Sequence, residues 1–270
     1  MARLLPSDMK KNITLMRKGD SGRKMENQGK NEIAFLNRDV IKYIAMFTML
    51  LNHIAHIFMT EGSLYNLFVD IGYFTAPVMC YFLVEGYHYT RSKKKYAIRL
   101  LIFAIISQIP FSLAFEFGNL NMIYTLFICF LILVAGEKIQ NPLLCNVVKI
   151  ALMLVTIIGD WALLAALCTI LLEKAWGDKK KQIQSYWILY GLFVLMDMTG
   201  YLQDGSGMPL WQIIARTAAS EIAVLCAGYV VCYLYNGKRM AHAKNFSKWF
   251  FYIFYPGHLL ILWAIRTYIL

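Results

Sequence analysis

Lys42 and His53 stand eleven positions apart, with Asn52 and His56 beside the histidine. On a helix turning 100° per residue, eleven steps make three turns plus ~20°, so Lys42 and His53 project from one face, ~16 Å apart along the axis. Asn52 and His56 lie within ~100° of His53 around the same helix. A cation at the mouth of a helix and a base deep inside it suit an elongated substrate that is charged at one end and reactive at the other. Coenzyme A thioesters have that shape, with anionic phosphates, a long pantetheine arm and a terminal acyl group. A neutral His53 can serve as general base toward an attacking hydroxyl or amine. Asp70 or Asn52 could fix its tautomer.

Other polar residues interrupt otherwise apolar stretches: Glu85, Lys149, Asp197, Arg216, Glu221 and His258, with Ser107 and Gln108 as neutral companions. Ionisable groups in such stretches are costly and often functional. Counting helical rise, His53 and Asp70 each lie ~9 Å from the same end of their segments, with His258 and Arg216 within one turn of that level. Gln108 lies in the same half. Polar groups from five helices then form one layer around a shared wet cavity, in which Gln108, Asn52 or Arg216 could stabilise an oxyanion. Plainer roles are available too. Asp70, Asp197, Arg216 and Glu221 could pair between helices, and Lys42 could be an interfacial anchor.

The elements that must hold these residues are membrane helices. The 270 residues are 59% hydrophobic with mean hydropathy +0.51, and the excess falls in blocks of ~15 to 25 residues without two-residue alternation, the length of a spanning helix. Nine spans are predicted: Asp39–Met59, Leu64–Tyr87, Tyr96–Phe115, Asn121–Ala135, Pro142–Ile158, Trp161–Ala175, Gln184–Leu202, Pro209–Tyr235 and Phe246–Arg266, with a defensible range of eight to ten. The fourth and sixth are short, and Gly159-Asp160 reads as a break in one long apolar region. The fold class is therefore all-α, a polytopic membrane bundle over residues 39–270. Residues 1–38 read as a basic, disordered cytoplasmic extension.

The net charge of +11 would suggest nucleic acid in a soluble protein, but here the positive charge is sorted by loop. The first 42 residues carry ten Lys/Arg, and further clusters stand at Arg91 to Lys95, Lys179 to Lys181 and Lys238 to Lys248. The alternate loops at Thr60–Ser63, 116–120, Asp160 and 203–208 contain none. Basic loops face the cytoplasm, which puts the N-terminus inside and the C-terminus outside. The six cysteines form no C-x-x-C pair and read as small buried residues. No H-E-x-x-H pattern or ligand spacing among the histidines calls for a metal.

Several strings resemble the TraX family, founded on a conjugation-associated pilin acetylase. They are Met49-Leu50-Leu51-Asn52-His53-Ile54; Ala76-Pro77 through Leu83-Val84-Glu85-Gly86-Tyr87 to Thr90-Arg91; Arg99 to Ala104 with Ser107-Gln108-Ile109-Pro110-Phe111; Asn121 with Thr125-Leu126; and Tyr235-Asn236-Gly237-Lys238-Arg239 followed by Phe251 to Leu259. The resemblance runs from residue 39 onward. It implies a membrane-embedded acyltransferase using an acyl-CoA, usually acetyl-CoA, as co-substrate, similar to a wider group that modifies extracytoplasmic sugars and shows a basic residue, ten residues and a histidine. It implies that Lys42 contacts the donor's phosphates, that His53 is the base, and that His258 lines the same cavity. Arg91 and Arg99 are further candidates for the donor site, and Gln108, Arg216, His56, Glu85, Asn121 and Tyr255 for the cavity lining. Asn52 stands where the family often has Asp, Tyr73 where a basic residue is common, and Tyr89 where His is frequent.

The reading is thus acyl transfer from cytoplasmic acyl-CoA to a hydroxyl or amine of a peptide or sugar acceptor, in the bacterial plasma membrane. The expected partners are membrane lipids, the donor and the acceptor, with no nucleic acid. A transporter or flippase, in which the polar layer is a path, and a non-catalytic membrane scaffold remain open.

Overall fold

Asn37 starts the first helix: its side-chain carbonyl accepts the N–H groups of Asp39 and Val40 at 3.0 Å each, satisfying donors that a helix N-terminus leaves open. The computed structural model describes residues 34–115, 118–203, 207–240 and 244–269, so all but the last few residues of the expected 1–38 extension lie outside it. Among the described residues the regular structure is helical. The elements are α1 (Arg38–Phe58), α2 (Ser63–Gly72), α3 (Thr75–Tyr89), α4 (Lys93–Phe115), α5 (Met122–Lys138), α6 (Pro142–Val155), α7 (Ala162–Lys174), α8 (Lys179–Gln203), α9 (Leu210–Ser220), α10 (Ile222–Tyr229) and α11 (Lys244–Tyr268).

Two of the predicted spans are broken helices. The second divides into α2 and α3 at Tyr73-Phe74, whose N–H groups bond the carbonyls of Asp70 and Ile71 three residues back. Pro77 has no N–H and is tolerated in a first turn, so the helix restarts just before it. The eighth divides into α9 and α10 at Glu221. There Thr217 Oγ bonds the Ile213 carbonyl and Ser220 Oγ the Arg216 carbonyl, each at 3.0 Å. Such back-bonding by hydroxyls bends helices. α10 continues as a π-helical turn over Val230–Leu234, closed by Tyr235 N–H to the Val230 carbonyl.

The Gly159-Asp160 break also forms. α6 ends in a 3-10 turn at Thr156–Ile158, and Trp161 adopts a left-handed φ of 59° before α7. The turn is pinned to the start of α5 by Leu120 and Asp160 backbone bonds of 2.7 Å and by Thr125 Oγ on the Asp160 carbonyl. Gly159 is required there, because a Cβ would sit 2.4 Å from Thr125 Oγ.

α3 is the centre of the bundle. It is buried from Thr75 to Tyr87 on almost every side, and α1, α5, α7 and α10 pack around it. The outside is apolar. On α4, Ile98, Ile102, Ile105 and Ile109 are exposed, and on α6, Leu143, Val147, Ile150 and Leu154. Both sets run i, i+4, i+7, i+11, outward hydrophobic stripes of the kind that lipid covers. Four helical stretches, Arg38–Phe58, Ser63–Tyr89, Lys93–Phe115 and Leu210–Leu234, are long and apolar enough to cross a membrane. α5, α6 and α7 have 17, 14 and 13 residues, shorter than the ~20 that span a bilayer upright. The chain is a helical membrane protein.

Candidate functional site

α1 presents Lys42, Met46, Met49 and His53 at the spacing i, i+4, i+7, i+11, one stripe along the helix. α11 packs beside α1 and brings His258 to His53. His53 Nδ1 lies 2.7 Å from His258 Nε2, and His258 Nδ1 lies 2.7 Å from the Phe254 carbonyl oxygen. Both imidazoles are buried and their planes are 8° apart. A carbonyl oxygen only accepts, so His258 Nδ1 carries a proton. With both rings neutral, His258 Nε2 then offers a lone pair and His53 Nδ1–H donates to it. His53 Nε2 is left unprotonated. His53 lines a cavity that His258 does not reach, so its free edge is the one facing that space.

This first cavity has a volume of about 530 Å³. Its wall includes Asn52, His56, Tyr73, Asp160, Trp161, Asp197 and Glu221, and no Lys or Arg among the described residues. Both helix breaks, at Tyr73 and at Glu221, thus open onto it, as broken helices in membranes do where they line a cavity. Glu221 is 2% exposed, and its Oε2 has no hydrogen-bond partner among the described residues.

A second cavity of about 400 Å³ lies toward the N-terminus of α1, lined by Arg38, Asp39, Lys42, Arg99 and Arg239 together with Tyr96, Phe251 and Tyr252. Its carboxylates are already engaged. Asp39 accepts from Ser247 Oγ at 2.5 Å and from Met240 N–H at 2.7 Å. Glu85, just outside the wall, accepts from Tyr235 at 2.5 Å and pairs with Arg38 at 3.3 Å. Arg99 donates to the Tyr252 hydroxyl at 2.8 Å. Lys42 Nζ rests 4.8 Å from the Phe251 ring and 5.6 Å from Phe82, with no carboxylate in ion-pair range among the described residues. The cavity therefore holds excess positive charge, fitted to an anion.

The two cavities share Met49, Thr75, Met122 and Tyr255 as wall residues. Thr75 Oγ bonds Ala45 O and Thr48 Oγ, and Tyr255 Oη accepts the Met122 N–H at 3.3 Å. Those two side chains are fixed. Met49 and Met122, unbranched thioethers without such anchors, are the adaptable part of the partition.

The layer expected from helical rise is not one cavity but three separate groups, because neighbouring partners capture each other first. His53 joins His258. Arg216 grips Asp70 through two bonds of 2.8 and 3.3 Å, so Asp70 does not reach His53 and Arg216 does not line the cavity. Gln108 bonds Asn121 N–H and Nδ2 through its Oε1, while Asn121 caps α5. Both serve that junction and neither lines either of these two cavities. Asn52 does line the first cavity, but its Nδ2 holds the Val69 carbonyl at 3.3 Å, so the geometry gives the tautomer-setting position to His258. His56 lines the same cavity near the Tyr65 hydroxyl, and Tyr255 lines both. Arg99 falls in the second cavity as expected. Arg91 is exposed and outside it, although its neighbours Tyr89 and Thr90 line the wall. Glu85 holds the wall without forming it. Around His53 the structure adds Tyr73, Asp160 and Trp161 and brings in Asp197 and Glu221, which the sequence offered only as costly polar residues or interhelix partners; around Lys42 it adds Arg38 and Arg239. Asp197 and Glu221 carried a signal, as ionisable residues in apolar segments.

Fold and site together define a helical membrane protein in which a cationic cavity and an acidic, histidine-bearing cavity meet at one partition. The chain belongs to the TraX family: the family described as TraX protein matches residues 37–266. It is also similar to the protein named "Probable fimbrial assembly protein FimC, serogroup H1" of Dichelobacter nodosus, at 27% identity over 248 residues, covering 85% of this chain and 95% of the relative. No solved structure matches.

Proposed function

We propose that the protein is an acyl-CoA-dependent acyltransferase of the bacterial plasma membrane. It has nine spans with the basic loops inside, and it moves an acetyl-sized group to an amine presented from the outer side. The observation that carries this reading is the His53–His258–Phe254 chain, which leaves His53 Nε2 as a base on the acidic cavity while Lys42 stands on the same helical stripe in the cationic one. The phosphates of the donor lie among Lys42, Arg38, Arg99 and Arg239, and the pantetheine arm runs along α1 toward the partition. The acceptor nitrogen attacks the thioester carbonyl. The C–N bond forms and the C–S bond breaks. The nitrogen's proton passes to His53 Nε2 and then to the departing thiolate, leaving free CoA thiol. Asn52 Nδ2, with a second N–H beyond its Val69 bond, is placed to meet the oxyanion.

The charge of the cavity supports an amine acceptor. A wall with three carboxylates and no Lys or Arg among the described residues favours a cationic amine over a neutral hydroxyl. The fimbrial-assembly name of the relative agrees with a peptide N-terminus. The purified protein, given labelled acetyl-CoA and a peptide with a free α-amino group, should release CoA thiol and label the peptide in equal amounts. Substrate flux in liposomes with no CoA binding and no labelled product would replace this reading with a transporter.

A further inference from the structure

One proton of that reaction has no destination in the histidine chain. An α-amino group titrates near pH ~8, so the acceptor arrives in neutral water mostly as an ammonium ion. It has no lone pair until it loses one proton, and it loses a second as it is acylated. His53 handles the second, which ends on the thiol of CoA. The first needs another base in the same cavity, and the sum of the reaction is then one proton released.

We propose that Glu221 is the acceptor-side base, binding the incoming ammonium through its carboxylate and taking its first proton. This rests on the acyltransferase reading above. Glu221 stands where the eighth span breaks, so its side chain meets the cavity instead of lipid or a neighbouring helix. It is almost wholly buried and its Oε2 has no partner among the described residues. A carboxylate left that way is expensive unless a cation or a proton arrives. The groups facing it do not supply one. From α8 comes Asp197, from the α2–α3 turn Tyr73, and across the cavity Asp160. Asp70 of α2 is taken by Arg216 of α9. Glu85, the charged residue of α3, is engaged with Arg38 and Tyr235 at the other cavity. His53 and His56 complete the wall, and His53 holds its one proton toward His258. An ammonium meeting Glu221 neutralises two charges at once when the proton crosses, which is favourable in a low-dielectric site. A cavity of about 530 Å³ is only ~10 Å across if round, so the neutral amine needs little movement to come within reach of His53. The proton on Glu221 returns to water through the acceptor entrance.

The test follows pH. The purified full-length protein is assayed with labelled acetyl-CoA and the α-amino peptide from pH 6 to ~9.5, as wild type, Glu221→Gln and Glu221→Asp. Glu221→Gln should lower kcat/KM for the peptide about 100-fold near pH 7 and recover toward wild type above pH ~9, where the amine is neutral in solution. The donor KM should stay unchanged. Glu221→Asp, which keeps the carboxyl on a shorter stem, should fall between and covers the case in which Gln disturbs the fold. Wild-type transfer with variant and wild-type pH profiles running parallel would overturn the role of Glu221 alone. A wild type that neither binds acyl-CoA nor labels the peptide would overturn the acyltransferase reading and this one with it.

Discussion

His53 and His258, 205 positions apart in sequence, sit with ring nitrogens 2.7 Å from each other. The contact joins the first long helix to the last and sets which nitrogen of His53 is free. His258 acts through His53, so its removal should lower kcat and leave donor binding alone. His258→Ala is expected to lose about 100-fold in kcat with donor KM unchanged, measured by CoA release. A rise in donor KM with kcat intact would place His258 in the donor site instead.

The cationic cavity makes a different prediction. Lys42→Ala should raise the donor KM about tenfold with little change in kcat, as loss of one charge-assisted phosphate contact would. Arg239→Ala should do the same. Arg91→Ala should change nothing, since that side chain is exposed and outside the cavity. Inhibition by free CoA, read for all three variants, separates them.

The partition should be a passage. Met49→Trp fills the space between the cavities, so transfer should fall more than tenfold while free CoA binds as in wild type. Equal transfer by Met49→Trp would mean that the acyl group takes another route to His53.

A close approach of backbones holds the acceptor side. A Cβ on Gly72 would lie 2.4 Å from Asn52 Cβ, so Gly72→Ala should destabilise the bundle by ~1–3 kcal/mol. The cost should shrink in Asn52→Gly, where the opposing side chain is gone. Thermal unfolding of the single and double variants in one detergent reads the coupling.

Much of this was legible in the chain. The apolar blocks gave helices in each of the nine predicted stretches, and the Lys42–His53 spacing survived because it depends only on the pitch of one helix. What failed depended on partners. Asp70 and Arg216 were expected in one layer with His53, but helical rise does not say that a bidentate pair will close between α2 and α9 before either reaches His53. Gln108 was lost to the cap of α5 in the same way. Glu221 was marked as an ionisable residue in an apolar segment, but its place on the cavity comes from a helix break, as does that of Tyr73, and the hydroxyl back-bonds of Thr217 and Ser220 that accompany one of the breaks are side-chain choices hydropathy does not register.

The most direct measurement is the rate of labelled acetyl transfer to the α-amino peptide by purified His53→Ala beside wild type, at saturating acetyl-CoA. The expected result is a loss of about 1,000-fold or more, with free CoA still bound and the unfolding temperature near that of wild type. Transfer by His53→Ala at the wild-type rate would contradict it.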